Sequence, residues 1–282
     1  MKINIAKSSG FCFGVQRAID IALKAAGQKK NIYMLGDIVH NEDVVAQIRN
    51  AGIKKVKKLR VGTGKTLLIR AHGIDKKTLT TMQTLDYDVI DATCPMVKEI
   101  HTIAATMEKK GHDIIVVGDK NHDEVRGIIG QLKGKAIVLD GPDRIPVAAL
   151  KNLKKACAIV QSTQNLKETL ALIETLKRFM PNLQFINTIC RPTRLKQEEI
   201  RIMPLANDVM IIIGSKTSAN TRRLHEISKS LNKRSYWVNS KLQLRKAWFT
   251  HAASVGITSG SSTPQATTKE VIDHIRRFAK AS

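Results

Sequence analysis

Three of the four cysteines lie in the same local context, and this constrains the fold more than any other feature of the sequence. Each comes shortly after an apolar segment typical of a β-strand and precedes an amphipathic segment typical of a helix. Cys12 follows KINIA, Cys94 follows YDVID and Cys190 follows QFINT, about once in each third of the chain. Three such cysteines can meet at one point if three similar α/β units are arranged around a common centre.

Apolar segments of strand length alternate with amphipathic helices along the sequence, which is the pattern of βαβ units and parallel sheets. Polar residues follow the strands at similar places in each third. We therefore predict an α/β fold of three pseudo-repeated lobes with mostly parallel sheets. The predicted lobes are residues 1–94, with an N-terminal strand, residues 95–190, and residues 191–282, with a C-terminal helix.

The composition excludes several classes of protein. No apolar run has the length of a membrane span, no signal peptide is recognisable and no C-x-x-C pair occurs, so we expect a cytoplasmic protein with reduced thiols and no membrane partner. The formal net charge of +23 attracts anionic ligands or acidic proteins. Because the cations are scattered and aromatic residues make up only 4%, we do not expect a nucleic-acid partner.

Cysteines on separate strand ends are suited to an iron–sulfur cluster, and three are one short of the usual four. A 4Fe–4S cluster held by three thiolates has one iron with an open position, which can bind a substrate oxygen as a Lewis acid. A structural zinc site would need a fourth ligand at close spacing. Three unrelated buried cysteines remain an alternative, but the repeated context favours one central 4Fe–4S cluster per chain. Cys157, inside an apolar segment, is interpreted as a core residue.

Side chains suited to anion binding and proton transfer follow strand segments in all three thirds. They are His40 and His72 in the first third, His122, Glu124, Ser162 and Thr163 in the second, and Ser218, Asn220 and Ser262 in the last. Such residues often serve only as helix caps, each worth about 1 kcal/mol. Hydroxyl groups, imidazoles and helix N-termini also bind phosphate, so we favour a phosphate-binding cavity at the carboxyl ends of the strands. A glutamate in a dry cavity has a raised pKa, which suits Glu124 to proton delivery.

Eight motifs in order along the chain give a specific resemblance to a known family: GFCFGV, GDIVHNEDVV, RAHG, DATCP, NHDEV, NTIC, GSKTSANTRRL and GITSGSSTPQ. With them the sequence resembles the 4-hydroxy-3-methylbut-2-enyl diphosphate reductase family over essentially its whole length. The resemblance implies a three-lobed α/β protein with a central 4Fe–4S cluster. It also implies reductive dehydroxylation of that diphosphate to isopentenyl and dimethylallyl diphosphates, with two electrons, two protons and loss of water.

The resemblance assigns roles to residues at matching positions. The implied cluster ligands are Cys12, Cys94 and Cys190. Glu124, with His122 beside it, is implied to protonate the departing hydroxyl group of the substrate. The implied substrate-binding residues are His40, His72, His122, Ser162, Thr163, Ser218, Asn220 and Ser262. The implied partners are the allylic diphosphate and an acidic electron donor of the ferredoxin or flavodoxin type.

The sequence departs from the usual family pattern at several positions. Ser162 stands where the family usually has a threonine, so the hydroxyl is kept and the methyl group is lost. Ala219 stands where many members have a second serine beside Ser218, which removes one hydrogen-bonding group. In the segment after the third cysteine, residues that are more often Ala, Asn and Arg are replaced by Pro192, Leu195 and Lys196.

Two other functions stay open at this point. Quinolinate synthases also have three α/β lobes and three cysteines around an open-iron cluster, but their dicarboxylate substrates require an arginine-lined pocket. A basic nucleic-acid-binding protein with structural cysteines would show salt-sensitive binding that survives substitution of the cysteines. A colourless, iron-free but folded protein after anaerobic purification would favour the second alternative.

Overall fold

The computed structural model describes residues 1–141, 145–151 and 153–280. The chain divides into two compact units. The terminal unit comprises Met1–Gln16, Val39–Ala46 and Arg191–Ser282, and the central unit comprises Arg17–Ile38 and Gln47–Cys190. In the residues that the structure describes, the terminal unit contains one four-stranded sheet and the central unit contains two.

Strands and helices alternate along the chain as the sequence predicts. The first group is β1 (Lys2–Ile5), α1 (Phe13–Gln28), β2 (Ile32–Leu35), α2 (Glu42–Asn50), β3 (Lys54–Val56), β4 (Thr66–Ile69), α3 (Lys76–Thr84) and β5 (Asp88–Asp91). The second group is α4 (Pro95–Lys109), β6 (Asp113–Val117), α5 (Asp123–Ile129), β7 (Ile137–Leu139), α6 (Val147–Lys151), β8 (Ala156–Val160), α7 (Leu166–Phe179) and β9 (Gln184–Phe185). The third group is α8 (Arg191–Ile202), β10 (Val209–Ile213), α9 (Ala219–Leu231), β11 (Ser235–Val238), β12 (Ser254–Ser259) and α10 (Gln265–Lys280).

The three sheets have the same strand order when each is written from the edge strand that leads to a cysteine. The order is β5-β4-β2-β3 and β9-β8-β6-β7 in the central unit, and β1-β12-β10-β11 in the terminal unit. All strand pairs among the described residues are parallel. The prediction of three α/β lobes with mostly parallel sheets is confirmed.

The N-terminal strand lies in a different sheet from the predicted one. β1 pairs with β12, from Lys2 opposite Ser254 to Ile5 opposite Ile257, so its assignment to the lobe of residues 1–94 is wrong. The first lobe is already complete with β2 to β5, whereas β12 would be a bare edge if β1 were absent. The first strand of the chain thus completes the sheet of the last repeat, so the order of the repeats is circularly permuted relative to the sequence.

β3 is a strand that the sequence did not reveal. It lies at the edge of its sheet, and two of its three residues are lysines, Lys54 and Lys55. Edge strands are commonly short and charged because this prevents them from pairing with other chains. The same features remove the apolar pattern by which a strand is recognised.

The inner strands are buried on both faces. In β6, Ile115 and Val117 belong to one apolar cluster, and Ile114 and Val116 belong to another on the opposite face. Burial on both faces explains why these strands are continuous apolar runs in the sequence. Cys157 lies in the second cluster, where burial raises the pKa of its thiol to about 11, as suits a core residue. In the described part of the chain, no helix is long and apolar enough to cross a membrane.

Candidate active site

Each of the three predicted ligand cysteines lies between the end of an edge strand and the start of a helix. Cys12 directly precedes α1, Cys94 directly precedes α4 and Cys190 directly precedes α8. Each cysteine N–H donates to the carbonyl two residues beyond the neighbouring strand, and the acceptors are, in the same order, Ser261 (3.1 Å), Ala71 (2.9 Å) and Ser162 (3.1 Å). The same part of each repeat therefore holds its cysteine in the same way.

The loops that follow the first strand of each repeat share a second pattern. A glycine directly follows the strand, a histidine or serine comes four positions later, and a carboxylate or amide lies two positions beyond that. The three series are Gly36, His40 and Glu42, then Gly118, His122 and Glu124, then Gly214, Ser218 and Asn220. Each series ends in the first turn of a helix, so the three repeats present polar groups in equivalent places.

Glu124 is the most deeply buried acid of the central unit's site, with 1% of its surface exposed. Its carboxylate accepts hydrogen bonds from the Ser162 N–H at 2.6 Å and from the Ser162 hydroxyl at 2.8 Å. Burial raises the pKa of Glu124, and the two hydrogen bonds from Ser162 oppose this in part. The group is thus able to hold a proton to a higher pH than an exposed glutamate.

His122 and His72 lie against each other near the start of α5. His122 caps α5, where its Nδ1 accepts a hydrogen bond from the Glu124 N–H at 3.1 Å. Because Nδ1 accepts, a neutral His122 ring carries its proton on Nε2. The rings of His72 and His122 meet edge to face with centroids 5.3 Å apart. The loops after β4 and β6 thereby bring two imidazoles together.

Arg70 and Asp123 are site residues that sequence reasoning missed. Their side chains form a partly buried ion pair with a nitrogen–oxygen distance of 2.6 Å. Arg70 is two residues before His72 and Asp123 is one residue after His122, so the pair ties together the two histidine loops. Arg70 lies in the RAHG motif, but a long-range ion pair leaves no signal in local sequence.

Thr163 lies next to Ser162 in the loop after β8. Its hydroxyl oxygen accepts a hydrogen bond from the side-chain amide of Gln161 at 3.1 Å. Gln161 is fully buried, and its side-chain oxygen accepts from the Asp119 N–H at 2.9 Å. The neighbouring loop after β6 therefore supports the position of Thr163.

In the terminal unit, Ser218 and Asn220 lie at the start of α9. The Ser218 hydroxyl caps the helix by accepting from the Thr221 N–H at 3.3 Å. Asn220 is 4% exposed, and its amide nitrogen has no hydrogen-bond partner among the described residues. A buried amide donor without a partner is costly, which indicates that a ligand acceptor belongs there.

Ser262 and His40 are in direct contact within the same unit, since the Ser262 hydroxyl donates to the His40 carbonyl at 3.1 Å. Glu42, which sequence reasoning did not select, accepts a hydrogen bond from the Ser215 hydroxyl at 2.7 Å. Glu42 is the counterpart of Glu124 in the repeat, and this equivalence is the signal by which it could have been found. These contacts join the loop before α2 to the loops after β10 and β12.

Comparison with protein-family models gives a match to the family described as LytB protein over residues 3–276. The chain belongs to the LytB family. The match spans both units and covers all three cysteine-bearing repeats.

Named relatives resemble this LytB chain over its full length. It is 36% identical over 281 residues to the 4-hydroxy-3-methylbut-2-enyl diphosphate reductase of Geobacter metallireducens, covering 100% of this chain and 99% of the relative. It is 38% identical over 280 residues to the protein of the same name from Campylobacter hominis, covering 98% of both.

Two solved structures are similar to the LytB chain in fold. One is described as (E)-4-hydroxy-3-methyl-but-2-enyl diphosphate reductase, the terminal enzyme of the non-mevalonate pathway, with a TM-score of 0.72, 36% identity and coverage of 98% of this chain and 100% of that one. The other is the E-1-hydroxy-2-methyl-but-2-enyl-4-diphosphate reductase of Plasmodium falciparum, with a TM-score of 0.90, 27% identity and coverage of 96% and 87%.

The three repeated cysteines of this LytB chain fit a metal–sulfur cofactor by chemistry and by position. None of them is in a disulfide, and each is partly buried, whereas Cys157 is fully buried in a strand. Each lies at the N-terminus of a helix of at least 12 residues, where the helix dipole favours a negatively charged group.

Proposed function

We propose that this LytB chain is a 4-hydroxy-3-methylbut-2-enyl diphosphate reductase that converts its substrate to isopentenyl and dimethylallyl diphosphates with loss of water. Family membership over residues 3–276 and full-length similarity to the named reductases support this function. The structural observation that carries it furthest is the buried pair of Glu124 and Ser162. A carboxyl group in such a place can keep the proton that a departing hydroxyl group requires.

The proposed cofactor is one 4Fe–4S cluster per chain, held by Cys12, Cys94 and Cys190. When bound, such a cluster supplies electrons and, at the iron without a protein ligand, a Lewis-acid position for a substrate oxygen. Two observations support this ligand set: the thiols occupy equivalent places in three repeats, and each lies at a helix N-terminus, where negative charge is stabilised.

Glu124 is proposed as the acid that protonates the leaving hydroxyl group. Ser162 orients it, since the backbone N–H and the side-chain hydroxyl of this one residue bind the two carboxyl oxygens. His122 fixes the start of the helix that carries Glu124 and presents its Nε2–H as a donor. Thr163 keeps its own hydroxyl proton available for the substrate because its oxygen serves as the acceptor for Gln161.

The diphosphate group is proposed to bind to imidazole, hydroxyl and amide donors. Ser218 is 5% exposed and Ser262 is 7% exposed. The Asn220 amide supplies a donor that has no hydrogen-bond partner among the described residues. The N-terminus of α9 adds N–H groups, which favour a phosphate. The proposed set is completed by His40, His72 and His122.

Electrons are proposed to come from an acidic protein of the ferredoxin or flavodoxin type. The net charge of +23 supports this, because opposite charges raise the rate at which two proteins meet.

The boundaries between the three lobes are proposed to lie at the cysteines, near residues 94 and 190. The first strand is assigned to the last lobe, because it pairs in that sheet.

The test is turnover by anaerobically purified protein whose iron content has been measured. The protein, reduced with dithionite and a viologen dye, is incubated with 4-hydroxy-3-methylbut-2-enyl diphosphate, and products are identified by mass spectrometry. We expect both isopentenyl and dimethylallyl diphosphates. Dimethylallyl diphosphate as substrate is the control, because it lacks the hydroxyl group. A loaded, reducible protein that leaves the substrate unchanged would exclude the proposed reaction.

A further inference from the structure

The helices that follow the three cysteines differ at one buried position. The residue six positions after the cysteine is Ala18 in α1, Ile100 in α4 and Lys196 in α8. These residues are 0%, 2% and 2% exposed, so all three face inwards. Two repeats fill the position with an apolar side chain, and only the third has a charge there. The repeated fold therefore does not require a lysine, and its presence needs another explanation.

The Lys196 ammonium group is bound by three backbone carbonyls within the terminal unit. It donates to Ser8, to Gly10 at 3.2 Å and to Ser259 at 3.0 Å. An ammonium group has three donors, so all of them are used. Ser8 and Gly10 belong to the loop that leads to Cys12, and Ser259 ends the neighbouring strand β12.

The same loop is joined to β12 by further hydrogen bonds. The Gly10 N–H donates to the Ser259 hydroxyl at 2.7 Å, and the Cys12 N–H donates to the Ser261 carbonyl at 3.1 Å. Lys196 lies at the centre of this network and contacts both of its sides. Its loss would remove two of the hydrogen bonds that hold the loop carrying Cys12.

The Lys196 charge is not neutralised by a hydrogen-bonded carboxylate among the described residues. The nearby Glu199 carboxylate is occupied by the Lys7 N–H at 2.8 Å, the Ser8 N–H at 2.9 Å and the Ser8 hydroxyl. Burial lowers the pKa of Lys196 to about 8, while the Cys12 sulfur and Glu199 act in the opposite direction. The ammonium group is thus held by neutral carbonyl oxygens, two of which belong to the loop that carries Cys12.

We propose that Lys196 is a positioning residue that holds the Cys12 loop against β12 and places a buried positive charge against that loop, two residues from Cys12. The inference rests on the proposed cluster ligation by Cys12. A positive charge next to a ligand sulfur favours the reduced, more negative form of a cluster, and so it raises the reduction potential. Lys196 would therefore make the cluster easier for the electron donor to reduce.

The first test measures the midpoint potential of the cluster in Lys196→Met, Lys196→Gln and Lys196→Arg by EPR-monitored redox titration. At a fixed potential, we expect the ratio of reduced to oxidised cluster to fall at least tenfold in the two neutral variants, equal to about 59 mV for one electron. Lys196→Arg should stay close to the parent. Lys233→Met, which removes an exposed lysine of the same unit, is the charge control and should leave the potential unchanged.

A neutral variant that holds the parental amount of iron and keeps the parental potential would overturn the proposal. That result would leave the proposed reductase function intact, because turnover and iron content are measured separately. A structural role alone would lower the melting temperature without this shift, and it would not separate Lys196→Arg from Lys196→Gln in potential.

The second test does not require a loaded cluster, and so it covers the case in which the neutral variants fail to hold iron. The full-length, cluster-free protein is alkylated with iodoacetamide at pH 7, and the modification of each cysteine is followed by peptide mass spectrometry. We expect the Cys12 rate to rise at least threefold in Lys196→Gln, because the loop that carries Cys12 loses its hydrogen bonds to the ammonium group. Cys94 and Cys190 are internal controls that should react at parental rates. An equal change in the rates of all three cysteines, or an unchanged Cys12 rate, would contradict the proposal.

Discussion

At the scale of single residues, the chemistry depends on a carboxyl group that is kept out of water. Glu124→Gln preserves the shape and the hydrogen bond from the Ser162 N–H but removes the proton that can be transferred. We predict that kcat falls by about 10²–10⁴-fold, the usual contribution of a general acid, while the iron content stays at the parental level. Glu174→Gln, an exposed change on α7, is the control for both measurements. Parental turnover in Glu124→Gln would show that another group delivers the proton.

Ser162 should set the pH range in which Glu124 works. Burial raises the pKa of Glu124 and the Ser162 hydroxyl lowers it in part. An acid catalyst is active while protonated, so kcat should be full at low pH and should fall as the pH rises through the raised pKa. In Ser162→Ala the hydroxyl is missing, the pKa rises further, and the falling limb of the pH–kcat profile should move to higher pH.

Ser162→Thr is the matched control for this shift because it keeps the hydroxyl and adds only a methyl group. The falling limb of its pH–kcat profile should coincide with that of the parent protein. A limb that moves to lower pH in Ser162→Ala would mean that the titrating group is not Glu124.

At the scale of elements, iron content should distinguish the cysteines at the three strand–cysteine–helix junctions from the core cysteine, Cys157. We predict that Cys94→Ser lowers bound iron from about four per chain to a small fraction of that value, because one junction loses its soft ligand. Cys157→Ala should keep the iron and cost on the order of 1 kcal/mol of stability, since it deletes one buried sulfur from β8. Iron analysis and urea unfolding measure the two effects. Similar iron loss in both variants would remove the distinction between ligand and core cysteines.

Many of the strands, helices and turn positions could be predicted from the sequence because their signals are local. The apolar runs of β6, β8 and β10 and the turn positions of His122 and Ser218 follow from short-range pattern and capping chemistry. The pairing of β1 could not be predicted in this way, since KINIA indicates a strand without naming its partner. In the sequence Lys196 shows only a departure from the usual arginine, because its three carbonyl partners lie about 60 to 190 positions away along the chain.

At the scale of the whole molecule, the shared strand order shows three equivalent repeats, and the sequence could begin with any one of them. β1 completes the sheet of β10, β11 and β12, so the chain has its ends inside one repeat. A permuted chain that begins at Lys30, between α1 and β2, and joins the old ends through a flexible glycine–serine linker would keep every repeat contiguous. We predict that this variant folds and binds iron at the parental ratio.

A permuted chain with the same linker that begins at Gly64, in the exposed turn before β4, is the matched control because its opening divides the sheet β3-β2-β4-β5. Separating β2 and β3 from β4 and β5 turns short-range pairing into long-range pairing, and the loop-closure entropy opposes it. Its melting temperature and its iron content should therefore both lie below those of the Lys30 variant. If the two variants melt together, the repeats are not the units in which this chain folds, and the shared strand order reflects ancestry alone.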